Sequence, residues 1–198
     1  MRNPERTKQI ILQQAAMLFN TQGYKATSIS DITNATGFTK GAIYKHFENK
    51  EKLEVCAMEY MAQEMQRGFK QAVQSQHNFK DKMIAILDYF KGYTHQPTFA
   101  GGCVLLNAAI ETDDRPGVLR DATARLLYDL ESSIIHLIAK GIQYKQIPPS
   151  TDAKTWTTYF IATIEGGIMV SKLKQSATPL RIVLNKLKED INQLILIE

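Results

Sequence analysis

Apolar and polar positions recur along this chain with a period of three to four residues almost from end to end. In the first segment Ile11, Ala15, Leu18 and Phe19 stand at i, i+4, i+7 and i+8, and Gly23 is placed to stop a helix that begins near Glu5. Ser28-Ile29-Ser30-Asp31 then has the spacing of a capping box, with Ser28 able to cap an orphan amide and Asp31 adding negative charge at the positive helix end. A second helix is predicted from Ser28 to about Thr36. Gly37 suits a sharp turn that needs positive φ, and Thr39 is an N-cap for a third helix from Lys40 to about Phe47. Asn49 caps a fourth, from Lys50 to about Ser75, amphipathic through Leu53, Ala57, Tyr60, Met61 and Met65.

Further helices are expected at about Phe79–Thr94, Gly102–Glu111, Gly117–Gln146, Asp152–Lys174 and Leu180–Ile197. The breaks between them are compositional: Gln96-Pro97 to Gly101-Gly102, Asp113-Asp114-Arg115-Pro116-Gly117, Pro148-Pro149-Ser150 and Ala177-Thr178-Pro179. No segment shows period-two alternation with β-rich composition, so no sheet is expected. The fold class that follows is all-α, about nine helices: a three-helix head over residues 1–49 and a helical body over residues 50–198.

Composition narrows the class without changing it. The 44% hydrophobic and 22% charged residues are the balance of a soluble globular chain. The longest apolar runs, such as Leu194-Ile195-Leu196-Ile197, fall far short of the roughly 20 residues that cross a bilayer. The amino terminus interrupts its apolar residues with polar ones, unlike a secretory leader, so a cytoplasmic location is expected. Cys56 and Cys103 lie far apart and outside any metal-ligand spacing, which argues against a disulfide framework or a metal site. No nucleophile elbow, phosphate-cradling glycine loop or HExxH is present, so an enzyme is disfavoured and no cofactor is expected.

Charge placement adds more than its total. Of 24 basic and 20 acidic residues, seven bases but only three acids lie in residues 1–50, which leaves seventeen of each in the remainder. The whole excess of +4 therefore sits on the first quarter of the chain, as on a nucleic-acid-binding end attached to a neutral body.

Two short helices around a glycine turn form a helix-turn-helix when their inner faces are apolar and the second keeps a polar outer face. Ile32, Ala35, Phe38, Ile43 and Phe47 are expected to face inward with Ile11, Leu18 and Phe19, leaving Lys40, Gly41, Ala42, Tyr44, Lys45 and His46 outside. Such a face suits a major groove: Lys40, Lys45 and Lys50 neutralise phosphates, and amides of the first turn around Thr39 and Lys40 donate to the backbone. Gly41 and Ala42 admit close approach to bases, while Tyr44 and His46 add donors. The competing reading is a helical protein-interaction or structural module that binds no specific DNA.

Residues 23–53, GYKATSISDITNATGFTKGAIYKHFENKEKL, resemble the DNA-binding region of the TetR family of transcriptional regulators. The resemblance covers about 30 residues nearly without gaps. It departs at Thr36, where the family commonly has Ala, and at Lys45, where an aromatic residue or His is frequent. The resemblance implies that Ser28, Thr39, Lys40, Tyr44, His46 and Lys50 hold phosphates and that Gly41, Ala42 and Lys45 lie nearest base edges. The role of Lys45, on phosphate or on guanine, stays open. Gly101-Gly102-Cys103 with Asn107 resembles a GGC-x-x-x-N element of one large subgroup, at a position through which ligand occupancy is thought to reach the head.

Reading two half-sites about 34 Å apart, or a multiple of that, requires two heads and hence a homodimer on a double-stranded, palindromic operator. The expected dimer surface is the helix pair Asp152–Lys174 and Leu180–Ile197, with Gly166-Gly167 beside Ile164, Ile168 and Val170 on the first and Val183, Leu184, Leu187, Ile191, Leu194 and Ile195 on the second. The alternative is that these faces only cover their own chain. An unidentified small-molecule effector is expected in the body, against Tyr89, Phe90, Tyr93, Phe99, Cys103, Asn107, Tyr128, Trp156, Phe160 and Met169, with Glu165 as a charged group that would orient a polar or cationic ligand or equally serve the dimer contact. The function expected is that of a ligand-responsive, sequence-specific regulator, most simply a repressor released from its operator.

Overall fold

The structure is a computed structural model that describes residues 3–94, 97–114 and 116–196. Gln96, Arg115 and Ile197, which enter the expected breaks and the last helix, lie outside the described residues. Among the described residues there are nine α-helices and no strand: α1 (Pro4–Gln22), α2 (Ile29–Thr36), α3 (Lys40–Tyr44), α4 (Lys50–Gln74), α5 (Phe79–Lys91), α6 (Val104–Thr112), α7 (Val118–Gln143), α8 (Ala153–Leu173) and α9 (Thr178–Leu194). A 3₁₀ turn, Gly92–Thr94, follows α5.

The helix starts follow from their caps. Asn3 accepts from the amides of Glu5 and Arg6, Asn78 from that of Asp81, and Asp152 from those of Lys154 and Thr155. At α2 the capping box is complete: Ser28 Oγ accepts the Asp31 amide at 3.2 Å, while Asp31 Oδ2 accepts the Ser28 amide at 2.7 Å. Helix α6 begins two residues later than its sequence suggests. Gly101 and Gly102 take φ of +99° and +98°, which no helix contains, and Cys103 becomes the N-cap.

The chain divides into two compact units. One is formed by residues 1–65 and 98–126, the other by 66–97 and 127–198. The core of the first combines Ile11, Ala15 and Phe19 of α1 with Ile29 and Ile32 of α2, Ile43 of α3, Phe47, and Leu53, Met58, Met61 and Met65 of α4; Val104, Leu105 and Ala108 of α6 are also buried in it. Ala35 is exposed rather than inward, because Ile29, Ile32 and Thr36 set the inner stripe of α2 and Ala35 falls about a quarter-turn off it. Leu18 and Phe38 are half-buried.

The second unit buries Phe79, Met83, Ile86, Leu87 and Phe90 of α5 with Phe160, Ile164 and Ile168 of α8 and Leu180, Leu184, Leu187 and Ile191 of α9. Helices α8 and α9 close on each other at Gly167, where an added Cβ would lie 2.4 Å from Val183 Cγ2. Ser171 Oγ accepts the Leu180 amide at 2.8 Å, which supplies the cap that Ala177 cannot. Gln146 joins distant segments of this unit, accepting the Phe79 amide on its side chain at 2.7 Å and the Leu196 amide on its carbonyl at 3.0 Å.

Two stability predictions follow. Gly101 combines left-handed φ with a Cβ position 2.2 Å from the Asn20 carbonyl oxygen, so Gly101→Ala is expected to cost on the order of 3 kcal/mol in chemical denaturation. Hydrogen bonds from the Ser28 side chain and amide hold the Asp31 carboxyl below its ordinary range. Its contribution is then fully present above the unfolded value of about 3.9 and is lost as pH falls through the lower folded value. The stability gap between the wild type and Asp31→Asn should therefore be present at pH 7 and shrink below about pH 4.

Candidate nucleic-acid interface

Helices α2 and α3 are joined by a three-residue turn whose geometry is set locally. Gly37 is left-handed at φ 70°, ψ 6°, and its amide bonds the Thr33 carbonyl at 2.9 Å. Thr36 bonds the Ile32 carbonyl through its hydroxyl at 2.7 Å and accepts the Phe38 amide at 3.2 Å. A hydroxyl at this position therefore fixes the turn, a task for which alanine has no atom. Thr39 accepts the Ala42 amide at 3.2 Å and starts α3, and Lys45, His46 and Phe47 continue helical bonding to Gly41 and Ile43.

With Ile43 at 0% and Phe47 at 2% exposure holding α3 inward, the opposite side is free. Lys40, Gly41 and Lys45 are exposed, Tyr44 is 45% exposed, and Ala42 and His46 are half-exposed. Nothing but Thr39 Oγ1, at 4.0 Å, would meet a Cβ on Gly41, so this step of the helix surface is bare backbone. The face thus offers two ammonium groups, a phenol and an imidazole around a site of close approach.

Two of the expected phosphate contacts are placed differently from the rest. Ser28 Oγ donates to Asp31 Oδ2 at 2.6 Å, so its proton is already used in the capping box. Lys50 turns into its own unit: Nζ donates to the Tyr24 carbonyl at 2.8 Å and pairs with Glu54 Oε1 at 3.2 Å. Burial pushes the Glu54 carboxyl up, against the lowering effect of Lys50.

The same unit holds polar groups that sequence reasoning passed over. Asn20, buried near the end of α1, donates its amide to the carbonyls of Ala100 at 2.7 Å and Gly102 at 3.2 Å. Asn107 of α6 returns bonds to the Asn20 carbonyl and Oδ1, both at 3.1 Å, and to the Gly101 carbonyl at 3.0 Å. The two asparagines therefore bind the glycine loop to α1 by direct bonds. Glu111, near the end of α6, accepts the amides of Tyr24 and Lys25 at 3.0 Å each. Tyr24 is buried, stacks on Phe19 with centroids 5.1 Å apart, and has its phenol pushed up by burial first and then by Glu111 and Glu54. Signals for both residues existed: Asn20 interrupts a buried apolar stripe, and Glu111 places negative charge at the negative end of its helix.

The residues expected around an effector divide between the units. In the first unit Phe99 meets the ring of Tyr60 edge-on at 5.9 Å, Cys103 is buried as the α6 cap, and Asn107 is committed to Asn20. In the second, Tyr89, Phe90 and Tyr93 form an aromatic cluster with Phe69, whose ring lies 4.8 Å from that of Tyr89 and 5.4 Å from that of Phe90. Gly68 admits the Tyr89 ring, which a Cβ would approach to 2.7 Å. Trp156 stacks on the buried Phe160 at 5.6 Å, and Glu165 is half-buried. Tyr128, 68% exposed, and Met169, 44% exposed, lie on open surface rather than in an enclosed lining.

Half of the expected α9 dimer face is buried within the chain, while Val183, Leu194 and Ile195 are half-buried. Leu184, Leu187 and Ile191 are buried against their own unit, because the same i, i+3, i+7 stripe that looks adhesive in sequence also covers α5 and α8. On α8 the opposite side from Phe160 and Ile164 stays open, with Tyr159, Gly166, Met169 and Leu173 in one stripe and Leu173 at 80% exposure. A Cβ on Gly166 would meet nothing within 4 Å. Tyr159 donates to Asp190 at 2.6 Å, which also pairs with Lys186 at 2.8 Å, and Ile182 is exposed on α9.

Among the described residues, no helix is long and apolar enough to cross a membrane, and no group of three or more His, Cys, Asp or Glu is arranged to hold a metal ion. Residues 11–54 match the profile of "Bacterial regulatory proteins, tetR family", and residues 80–187 match that of "Tetracyclin repressor-like, C-terminal domain". The fold is that of a TetR transcriptional regulator from Chloroflexus aurantiacus, with TM-score 0.94 and 38% identity over 98% of each chain. The transcriptional repressor ComR of Escherichia coli is 28% identical over 86% of both chains. The repressor DhaR of a Mycobacterium species is 22% identical over 87% of this chain and 86% of its own. A head profile that spans the helix-turn-helix just described, and a body profile that covers more than half of the sequence, make this chain a member of the tetR family of DNA-binding transcriptional regulators, which regulate rather than catalyse.

Proposed function

We propose that the chain acts as a homodimeric repressor that holds a palindromic operator until a small molecule releases it, with residues 1–49 reading DNA and residues 50–198 sensing and pairing. The observation that carries the reading is the bare Gly41-Ala42 step of α3, ringed by Lys40, Tyr44, Lys45 and His46 and anchored from behind by Ile43 and Phe47. Lys40, Lys45 and the amides at the start of α3 take phosphates; Tyr44 and His46 add donors beside them; Gly41 and Ala42 set the approach to base edges, where the Ala42 methyl can meet a thymine methyl. Ser28 and Lys50 serve this face by fixing α2 and Tyr24, since their polar atoms are committed there.

Pairing occurs through the open stripe of α8, Tyr159, Gly166, Met169 and Leu173, with the neighbouring α9 residue Ile182. Gly167 brings α9 against α8 within one chain, whereas Gly166 leaves room for the partner helix. The Gly101-Gly102-Cys103 element with Asn107 supports the reading that the chain belongs to the GGC-x-x-x-N subgroup. The effector is a largely apolar or aromatic molecule taken against Tyr89, Phe90, Tyr93, Trp156 and Phe160, with a polar or cationic group oriented by Glu165. Release is a population shift, limited to the differential affinity of the effector for the two states, and α4 carries it because it joins head to body covalently.

Selection of duplexes from a random-sequence pool by the purified protein tests the DNA reading. Lys40→Ala and Tyr44→Ala should each weaken the selected duplex about tenfold, and Lys40→Ala should lower the slope of log K against log salt by about one. Unchanged affinity in both variants would move recognition away from α3. Gly166→Arg should leave the helical circular dichroism intact, convert the dimer to a monomer in sedimentation and abolish tight operator binding; a dimer that persists would place pairing elsewhere.

A further inference from the structure

We infer that Glu111 is a positioning residue for DNA recognition: from α6, its carboxylate fixes the turn between α1 and α2 and so sets where the helix-turn-helix sits. The inference rests on the DNA-reading role of α3 and adds a residue 65 positions beyond His46 in sequence, whose bonds are to backbone amides of the turn.

The geometry at Tyr24 carries it. Its amide donates to Glu111 Oε1 at 3.0 Å, and its carbonyl accepts from Lys50 Nζ at 2.8 Å, so opposite charges grip the two polar groups of one residue. The next amide, that of Lys25, donates to Glu111 Oε2 at 3.0 Å, so the carboxylate spans two successive backbone donors. Gly23 makes this approach feasible, because a Cβ there would lie 2.8 Å from Glu111 Oε1. These amides lie beyond the end of α1 and have no helical acceptor.

The placement of Glu111 is not explained by α6 itself. A carboxylate in the last turn of a helix faces the negative end of its dipole and is disfavoured there unless something outside the helix holds it. What holds it is the turn. Charge-assisted bonds to two amides are stronger than neutral ones and constrain direction as well as distance. Ser28, the cap of α2, follows Lys25 by three residues, and α3 is built against α2 through Gly37. A shift of the turn therefore reaches Lys40 and Ala42 through short, stiff segments.

The sign of the electrostatics separates positioning from charge. Removing Glu111 makes the unit that contains the head more positive, which by itself strengthens binding to any duplex. A loss of specific affinity on removal runs against that background. The test uses the full-length dimer, a duplex enriched from a random pool by the wild type, and an unrelated duplex at low salt. Glu111→Ala should weaken the enriched duplex about tenfold while the unrelated duplex is bound as well as or better than before. Glu111→Gln, which keeps one carbonyl oxygen and the shape of the side chain, should fall between. Hydrogen exchange at the Tyr24 and Lys25 amides should accelerate in both variants.

Three results overturn the inference. One is a wild-type ratio of enriched to unrelated affinity in both variants. Another is a parallel fall of both affinities with the melting temperature, which would make Glu111 a stability residue only. The third is unchanged exchange at the two amides in both variants. If the wild type enriches no sequence, the DNA-reading role itself fails, an outcome distinct from the other three because it precedes any substitution.

Discussion

A recognition helix of five residues cannot stand alone. Forming the first turn costs more than it returns, and isolated helices shorter than about 12 residues are marginal in water. Helix α3 exists because Ile43 and Phe47 are buried in the core of the first unit, each burial contributing about 2 to 3 kcal/mol. The outer face, with its bare glycine step and its charges, adds nothing to that stability and is free to serve a ligand. Everything else in the first unit follows from the need to hold this short element from behind.

Apolar contacts hold α3 in but do not fix its direction finely, since they are non-directional. Direction comes from hydrogen bonds at the junctions. Thr36 holds the amide after Gly37, Ser28 and Asp31 lock the start of α2, and Glu111 with Lys50 fixes Tyr24 before it. The compact unit that contains the head continues through Met65 and takes in residues 98–126, so α6 belongs to the structure that supports the DNA face. Asn20 and Asn107 bind the loop ahead of α6 to α1, and Gly101 lets backbone meet backbone there.

The helices, their caps and the glycine turn were legible because their signals are local: an i, i+3, i+4 stripe, a serine three residues before an aspartate, a threonine before a lysine. The start of α6 lies two residues past the expected Gly102 because Gly101 and Gly102 take positive φ in a loop whose carbonyls are bonded by Asn20 and Asn107, a tertiary contact that no local signal reports. Ser28 and Lys50 illustrate the same limit. Each is a polar residue beside a DNA-binding helix, and sequence alone does not say whether its atoms are free or committed to Asp31, Glu54 and the Tyr24 carbonyl. The apolar stripe of α9 was visible, but which neighbour it covers depends on the tertiary arrangement, and Leu184, Leu187 and Ile191 are used on their own chain.

Adjacent glycines on α8 show how a pair of identical residues can answer two different demands. Successive helical positions are separated by about 100° around the axis, so Gly166 and Gly167 face different surroundings. At Gly167 any side chain collides with Val183, and its smallness is required by the chain's own core. At Gly166 no such demand exists, and intrinsic helix propensity would favour alanine there by about 1 kcal/mol. Neither the interior of the chain nor the helix itself accounts for a glycine at that position. Its neighbours along the stripe, Tyr159, Met169 and Leu173, are large and exposed, so the small residue opens a notch in an apolar surface. A notch flanked by large apolar groups fits the close crossing of another helix, and under the proposed pairing that helix is a second copy of α8.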